Sequence, residues 1–268
     1  MACGDGGSGT TAAAETIAAG RVYADVARGG GRGWRHGPGS VTPVIDDDRP
    51  SSCPVSVIRT ATTIHPLRGA DRSVDLTPVI LEGTAVRLEP LATGHLDRLC
   101  EIGLDPALWE WTTTKIRDVD AMRDYVGTAL RWQAEGSALP FATVERATGR
   151  VVGSTRFANA DPPNRRVEIG WSWIARPWQR TVVNTEAKYL MLRHAFERLG
   201  CIRVEFKTDA LNARSRTAIL RIGAKEEGTL RSHMQVEDGR RRDSVYFSII
   251  EQEWPAVRVH LEGMMRNH

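Results

Sequence analysis

Between Glu168 and Glu186 the chain reads Glu-Ile-Gly-Trp-Ser-Trp-Ile-Ala-Arg-Pro-Trp-Gln-Arg-Thr-Val-Val-Asn-Thr-Glu. A short apolar strand gives way to a turn, and the turn to the start of a long helix. A strand that ends on a helix N-terminus builds an anion site, because the first-turn N–H groups have no partner within the helix and the helix dipole adds partial positive charge. Arg176 and Arg180 bring full positive charge to the same place. The chemistry this favours is the binding of a phosphorylated cofactor.

The elements that must hold this site follow from periodicity. Ala85–Leu91 alternates apolar and polar residues as a first strand, and Thr93 offers an N-cap for a helix through Leu96, Leu99 and Ile102. A second helix spans Asp118–Glu135, with Met122, Tyr125, Val126, Ala129 and Leu130 at helical spacing. Phe141–Glu145 and Val151–Phe157 form a hairpin around Thr148-Gly149. In the strand Val167–Ile174, alternation puts Val167, Ile169, Trp171 and Trp173 on one face and Glu168, Gly170 and Ser172 on the other. The long helix is predicted from Asn184 or Thr185 to Leu199, its broad apolar surface implying that it packs on a sheet. Arg203–Thr208 is a strand, Asn212 caps a helix through Ile222, and strands near Lys225–Leu230 and Ser244–Ile250 precede a last helix over Glu251–Glu262. The order β-α-α-β-β-β-α-β-α-β-β implies an α+β fold with a mixed sheet.

Composition limits the alternatives. Eleven of the 25 glycines lie before residue 41, and no apolar periodicity runs through the first 76 residues. Such a segment buries too little apolar surface to offset its ordering entropy, so residues 1–76 read as a disordered extension and 77–268 as one folded domain. A net charge of +3 is mild. The densest basic run, Arg240-Arg241-Arg242 beside Asp238-Gly239, reads as a solvated hairpin turn and not as a nucleic-acid face. Cys3, Cys53, Cys100 and Cys201 lack metal or redox spacing, which suits a reduced, cytoplasmic protein with no metal. No apolar run reaches membrane-spanning length. His194 falls on the long helix as a partly exposed residue; His233 sits near the final hairpin, with a catalytic role only a minor alternative.

Four segments then carry a resemblance. They are Leu81-Glu-Gly-x-x-Val-Arg-Leu-x-Pro-Leu91, Val152-Gly-Ser-Thr155, Glu168-Ile-Gly-Trp171, and Asn212-Ala-Arg-Ser215 with Arg221-Ile-Gly-Ala-Lys-Glu-Glu-Gly228 behind it. In order and spacing they resemble the Gcn5-related N-acetyltransferase (GNAT) family, specifically its RimJ/RimL-like branch, over about residues 79 to 255. The resemblance implies a mostly antiparallel, splayed sheet flanked by helices, with acetyl-CoA as co-substrate. The strand before the long helix would part from its neighbour and admit the pantetheine arm, and the loop after it would wrap the pyrophosphate with backbone amides. The family's Gln/Arg-x-x-Gly-x-Gly/Ala pattern maps onto Gln179, Arg180, Thr181, Val182, Val183 and Asn184, with Thr185 adjoining; Val182 and Asn184 depart from its small residues.

By the same resemblance, a backbone N–H near Trp173 or Ile174 polarises the thioester carbonyl and Asn212 reaches the pantetheine. Glu168 is the expected base, against the alternative of a cross-strand salt bridge, and Ser215 the expected proton donor to the thiolate. Trp109, Trp111 and Trp171 are expected along the acceptor site, against the alternative of core packing. The implied function is direct acetyl transfer to a primary amine, on a protein N-terminus or a small molecule, with no cysteine placed as a nucleophile and a homodimer left open. Another reading is a GNAT-shaped acyl-CoA sensor without turnover.

Overall fold

The structure, a computed structural model, describes residues 74–267. All but the last three residues of the expected disordered extension lie outside that range. Those three correct the boundary, because Val74 and Leu76 are buried in the main core.

Eight strands form one sheet: β1 (Leu81–Glu82), β2 (Val86–Pro90), β3 (Ala138–Glu145), β4 (Val151–Asp161), β5 (Arg166–Ile174), β6 (Arg203–Asp209), β7 (Lys225–Gln235) and β8 (Arg241–Ile250). Their spatial order is β1-β2-β3-β4-β5-β6-β8-β7. All neighbours are antiparallel except β5 and β6. Five helices complete the domain: α1 (Leu96–Gly103), α2 (Val119–Ala134), α3 (Val182–Glu197), α4 (Ala213–Arg221) and α5 (Trp254–Arg266). Each expected element is present and the two-residue β1 is additional; the first helix begins at Leu96 after a 3-10 turn over Thr93–His95, so His95 and not Thr93 stands at its N-cap.

Side-chain alternation divides the interior in two. Leu88, Phe141, Phe157, Val167, Ile169, Val204, Phe206 and Phe247 point to the face covered by α3 and α5. On the other face α1 and α2 pack over β3 and β4, closing a smaller cluster around Leu99, Met122 and Trp109. Beyond it, β5, β6 and β8 present polar residues on that side, among them Glu168, Lys207 and Tyr246.

Two local features, a bulge in β5 and the cap of α3, set the directions of the side chains around the gap between β5 and β6. In β4–β5, Ser154 pairs with Trp173 and Arg156 with Gly170, so Trp171 and Ser172 both stand opposite Thr155. Trp171 takes the left-handed conformation at φ +49° that this bulge requires. The bulge corrects the simple alternation: Trp171 and Trp173 join the α1–α2 cluster, opposite Val167 and Ile169, while Ser172 turns toward α3. Gly153 is needed nearby, since a Cβ there would overlap the Trp173 carbonyl oxygen. At the start of α3, Thr181 is the N-cap, its hydroxyl accepting from Val183 N–H. Val182, Val183 and Asn184 therefore form the first helical turn and not a loop.

Candidate active site

The parallel pairing of β5 and β6 lasts three residues, from Arg166–Arg203 to Glu168–Glu205. Afterwards β5 stays with β4 and β6 stays with β8, and a gap opens between them. Ala175 N–H donates back to Val152 O at 2.9 Å, so strand alternation turns the N–H and C=O of Ile174 out of the β4 ladder. Consistent with this, Ile174 O accepts from Gln179 Nε2 at 2.8 Å. Gln179 Oε1 in turn accepts from Arg214 Nη1 at 3.2 Å, bridging the end of β5 to α4 across the gap.

The end of α3 stands beside this gap with its first-turn N–H groups. Among the basic side chains, Arg180 and Arg214 are exposed there, whereas Arg176 is paired with Asp105. Arg180 holds the left-handed backbone of the turn at φ +63°. Val182 and Asn184 lie in regular helix, where a β-branched residue needs no positive φ. Val183 and Thr185 are buried, and Thr185 Oγ1 accepts from Arg221 Nη2 at 3.1 Å, so their side chains face the core. A shallow depression beside the same helix start, lined by Thr84, Arg146, Trp178 and Thr181, takes no wall from β6 or α4.

On the β6 side, Asn212 caps α4, with Oδ1 accepting from Ser215 N–H at 3.0 Å. Asn212 Nδ2 and the Ser215 hydroxyl have no hydrogen-bond partner among the described residues, and both residues are half-buried. Around the gap stand an outward N–H at Ile174, a helix N-terminus with the exposed guanidinium groups of Arg180 and Arg214, and an open carboxamide at Asn212.

On the opposite face, Glu168 is 4% exposed and its Oε2 accepts from Asn159 Nδ2 at 2.8 Å and Lys207 Nζ at 3.2 Å. Glu168 thus does make the cross-strand ion pair weighed for it from sequence. Trp109 is core: it is 4% exposed, donates Nε1–H to Gly103 O at 2.6 Å and packs on Trp173. Trp111 and Trp171 are half-buried. The segment 109–117 is tied to the β7–β8 turn by Lys115 N–H and Arg117, both on Glu237, and by Arg240 over the Trp111 ring. These ties bound a polar recess over β5, β6 and β8. The basic run is only in part a solvated turn: Arg241 is exposed along with Asp238 and Gly239, whereas Arg240 pairs with Asp209 at 2.6 Å and Arg242 is 6% exposed.

Sequence reasoning passed over two buried cations. Arg156 is 1% exposed and its guanidinium lies 4.9 to 5.5 Å from the ring centroids of Tyr125, Trp132 and Trp171, with Nε and Nη2 unpartnered. Lys188 of α3 donates to Ser172 Oγ at 2.6 Å and Thr155 Oγ1 at 3.3 Å, and burial pushes its ammonium down to about 7. Neither has a carboxylate partner, and the bulge that gathers both groups has no sequence signal of its own.

The profile of the Acetyltransferase (GNAT) domain matches residues 85–225. The chain belongs to the GNAT acetyltransferase family. YdaF of Bacillus subtilis (strain 168), provisionally named a ribosomal N-acetyltransferase, is 36% identical over 106 residues, spanning 40% of this chain and 57% of its own. A GCN5-related N-acetyltransferase from Brucella melitensis is 30% identical over 70% of this chain and 86% of that one, with a TM-score of 0.66. RimJ of Mycobacterium smegmatis, solved in complex with CoA-disulfide, shares the GNAT fold at 23% identity and a TM-score of 0.63, over 72% of this chain and 97% of its own. The GNAT match ends at Lys225, before β7 and β8 complete the recess. No helix among the described residues is long and apolar enough to cross a membrane.

Proposed function

We propose that this GNAT protein transfers an acetyl group from acetyl-CoA to a primary amine by direct transfer. The observation that carries the reading is the parting of β5 from β6 after three residue pairs, with the α3 N-terminus beside the gap. Acetyl-CoA supplies the activated acetyl thioester. Ile174 N–H would hold its carbonyl, the first turn of α3 with Arg180 and Arg214 its pyrophosphate, and Asn212 its pantetheine amide. Ser215, a half-buried hydroxyl in the same α4 turn, is the proposed proton donor to sulfur. The amine enters from the recess bounded by Trp111, Trp171 and Glu168.

Direct transfer is favoured over an acyl-enzyme, since of the two cysteines among the described residues burial pushes the Cys201 thiol up to about 11 and raises that of Cys100 as well. The name carried by YdaF favours a ribosomal-protein amine as acceptor, for which the cytoplasm is the fitting compartment. The test is calorimetric titration with acetyl-CoA, followed by thiol release with peptide N-termini and small amines. Saturable binding with amine-dependent thiol release is expected. Binding without release across the panel would favour the sensor, and no binding at millimolar cofactor would remove both readings.

A further inference from the structure

The polar recess receives one imidazole from β7. Leu230 pairs with Ser244 and Met234 with Arg242, so Arg231, Ser232 and His233 together stand against Asp243. Ser232 takes the left-handed conformation at φ +49°, and its N–H donates to Asp243 Oδ1 at 2.7 Å. This bulge lays His233 on β8: Nδ1 is 3.0 Å from Ser244 Oγ, and the ring meets Tyr246 edge-on at 5.7 Å between centroids. His233 is exposed, and Nε2 has no hydrogen-bond partner among the described residues.

We propose that His233, and not the ion-paired Glu168, takes the proton from the acceptor amine. The proposal rests on the acetyl-transfer reading and deepens it. In the tautomer whose Nδ1–H donates to Ser244 Oγ, the one this role requires, the lone pair of Nε2 faces outward. Glu168 is buried, and its charge is committed to Lys207 and Asn159. The titratable and charged groups facing the imidazole are Lys207 of β6, Arg242 and Tyr246 of β8 and Glu168 of β5. Burial holds His233 below its ordinary value of 6.5; Lys207 and Arg242 push the same way, and Glu168 opposes them. At neutral pH the ring is therefore the free base, poised to accept a proton directly or through one water.

The step balances. The ammonium form of the acceptor gives one proton to Nε2, which later releases it to solvent. The amine nitrogen then forms the C–N bond as the C–S bond breaks; Ser215 gives its hydroxyl proton to the leaving sulfur, which departs as free thiol, and the second amine proton restores the hydroxyl.

The test compares the full chain with its His233→Gln and Glu168→Gln variants. It follows kcat/KM for a peptide amine between about pH 5 and about pH 9, with acetyl-CoA affinity measured separately. His233→Gln should bind acetyl-CoA as the parent does, lose roughly 100-fold in kcat/KM at neutral pH and lose the rising limb on the acid side. Glu168→Gln should retain that limb. By NMR, without acetyl-CoA, the His233 ring should titrate below its ordinary value and shift when the peptide amine is added. A limb that survives in His233→Gln and vanishes in Glu168→Gln would overturn the assignment. A wild-type chain that turns over no amine would remove the acetyl-transfer reading itself, and an active chain whose His233 resonance ignores the amine would overturn only this inference.

Discussion

Lys188 sits on α3 under the β5 bulge, 7% exposed, with two hydroxyls for partners and no carboxylate. Burial alone lowers its pKa from 10.5 to about 7. A lysine whose folded value lies below its unfolded value opposes folding in full below the folded value, and the penalty fades as pH rises toward the unfolded one. Lys188→Met should therefore be more stable than the parent near pH 6, by on the order of 5 kcal/mol before the loss of the two hydrogen bonds is subtracted. That advantage should shrink as pH climbs from about 7 to about 10, with thermal melts of both chains across the range as the measurement. A difference that stays flat would mean the ammonium remains charged through some other contact. Glu168 makes the complementary case, since its removal leaves Lys207 without its carboxylate. Glu168→Gln should lose about 1 to 3 kcal/mol in urea denaturation, alongside any kinetic effect. Residue types alone point to Glu168, Asn212 and Ser215 and to their strand and helix. They do not reveal the partners, because Lys207, Asn159 and Arg242 reach Glu168 and His233 only once β6, β8 and the β4 turn are assembled.

The start of α3 decides how the departure from the family's small-residue pattern is understood. By sequence pattern alone, Val182 and Asn184 fall in a loop where the family places small residues; Thr181 instead caps the helix and the left-handed position passes to Arg180. Val182→Gly, which restores the pattern, should then leave acetyl-CoA affinity within a few-fold and cost about 0.5 kcal/mol of stability from lower helix propensity. A large gain in affinity by calorimetry would show that the valine obstructs the site. The same helix anchors the sheet edge. Glu186, 6% exposed, accepts from the N–H groups of Thr84, Ala85 and Val86 at 2.7 Å each, and Gly83 passes so close that a Cβ would collide with the carboxylate. Glu186→Gln leaves fewer acceptor sites for three donors and places an NH2 against them, so a loss of about 2 to 4 kcal/mol is expected in urea denaturation. Helices and strands are legible in the sequence because caps and apolar periods are local. The bulges at Trp171 and Ser232 are not, since each depends on a register set by a neighbouring strand, and each changes which face the next side chains occupy.

Across the whole domain the sheet is covered unequally. α3 and α5 close one face, whereas α1 and α2 reach only β3 and β4 on the other, leaving the recess open where β7 and β8 extend beyond the family match. The main core also draws on the chain before β1. Val74 and Leu76 are 5% and 6% exposed within the cluster that includes Leu81 and Leu190. The glycine-rich composition of the preceding segment masks this, because two apolar residues at a domain edge make no period. Their contribution separates two truncations. A chain beginning at residue 74 keeps both side chains, while one beginning at residue 79 exposes the cavity they fill and loses roughly 1.5 to 3 kcal/mol for each. The longer chain should melt several degrees above the shorter one, by differential scanning calorimetry, with acetyl-CoA titration as the accompanying readout. Val74 and Leu76 directly precede β1 in the chain, and β1 is an edge strand far along the sheet order from the β5–β6 gap, so the stability loss should come without a change in affinity measured well below either melting point. Equal melting temperatures would place the edge of the packed domain at residue 79 and reduce the burial of Val74 and Leu76 to an unproductive contact.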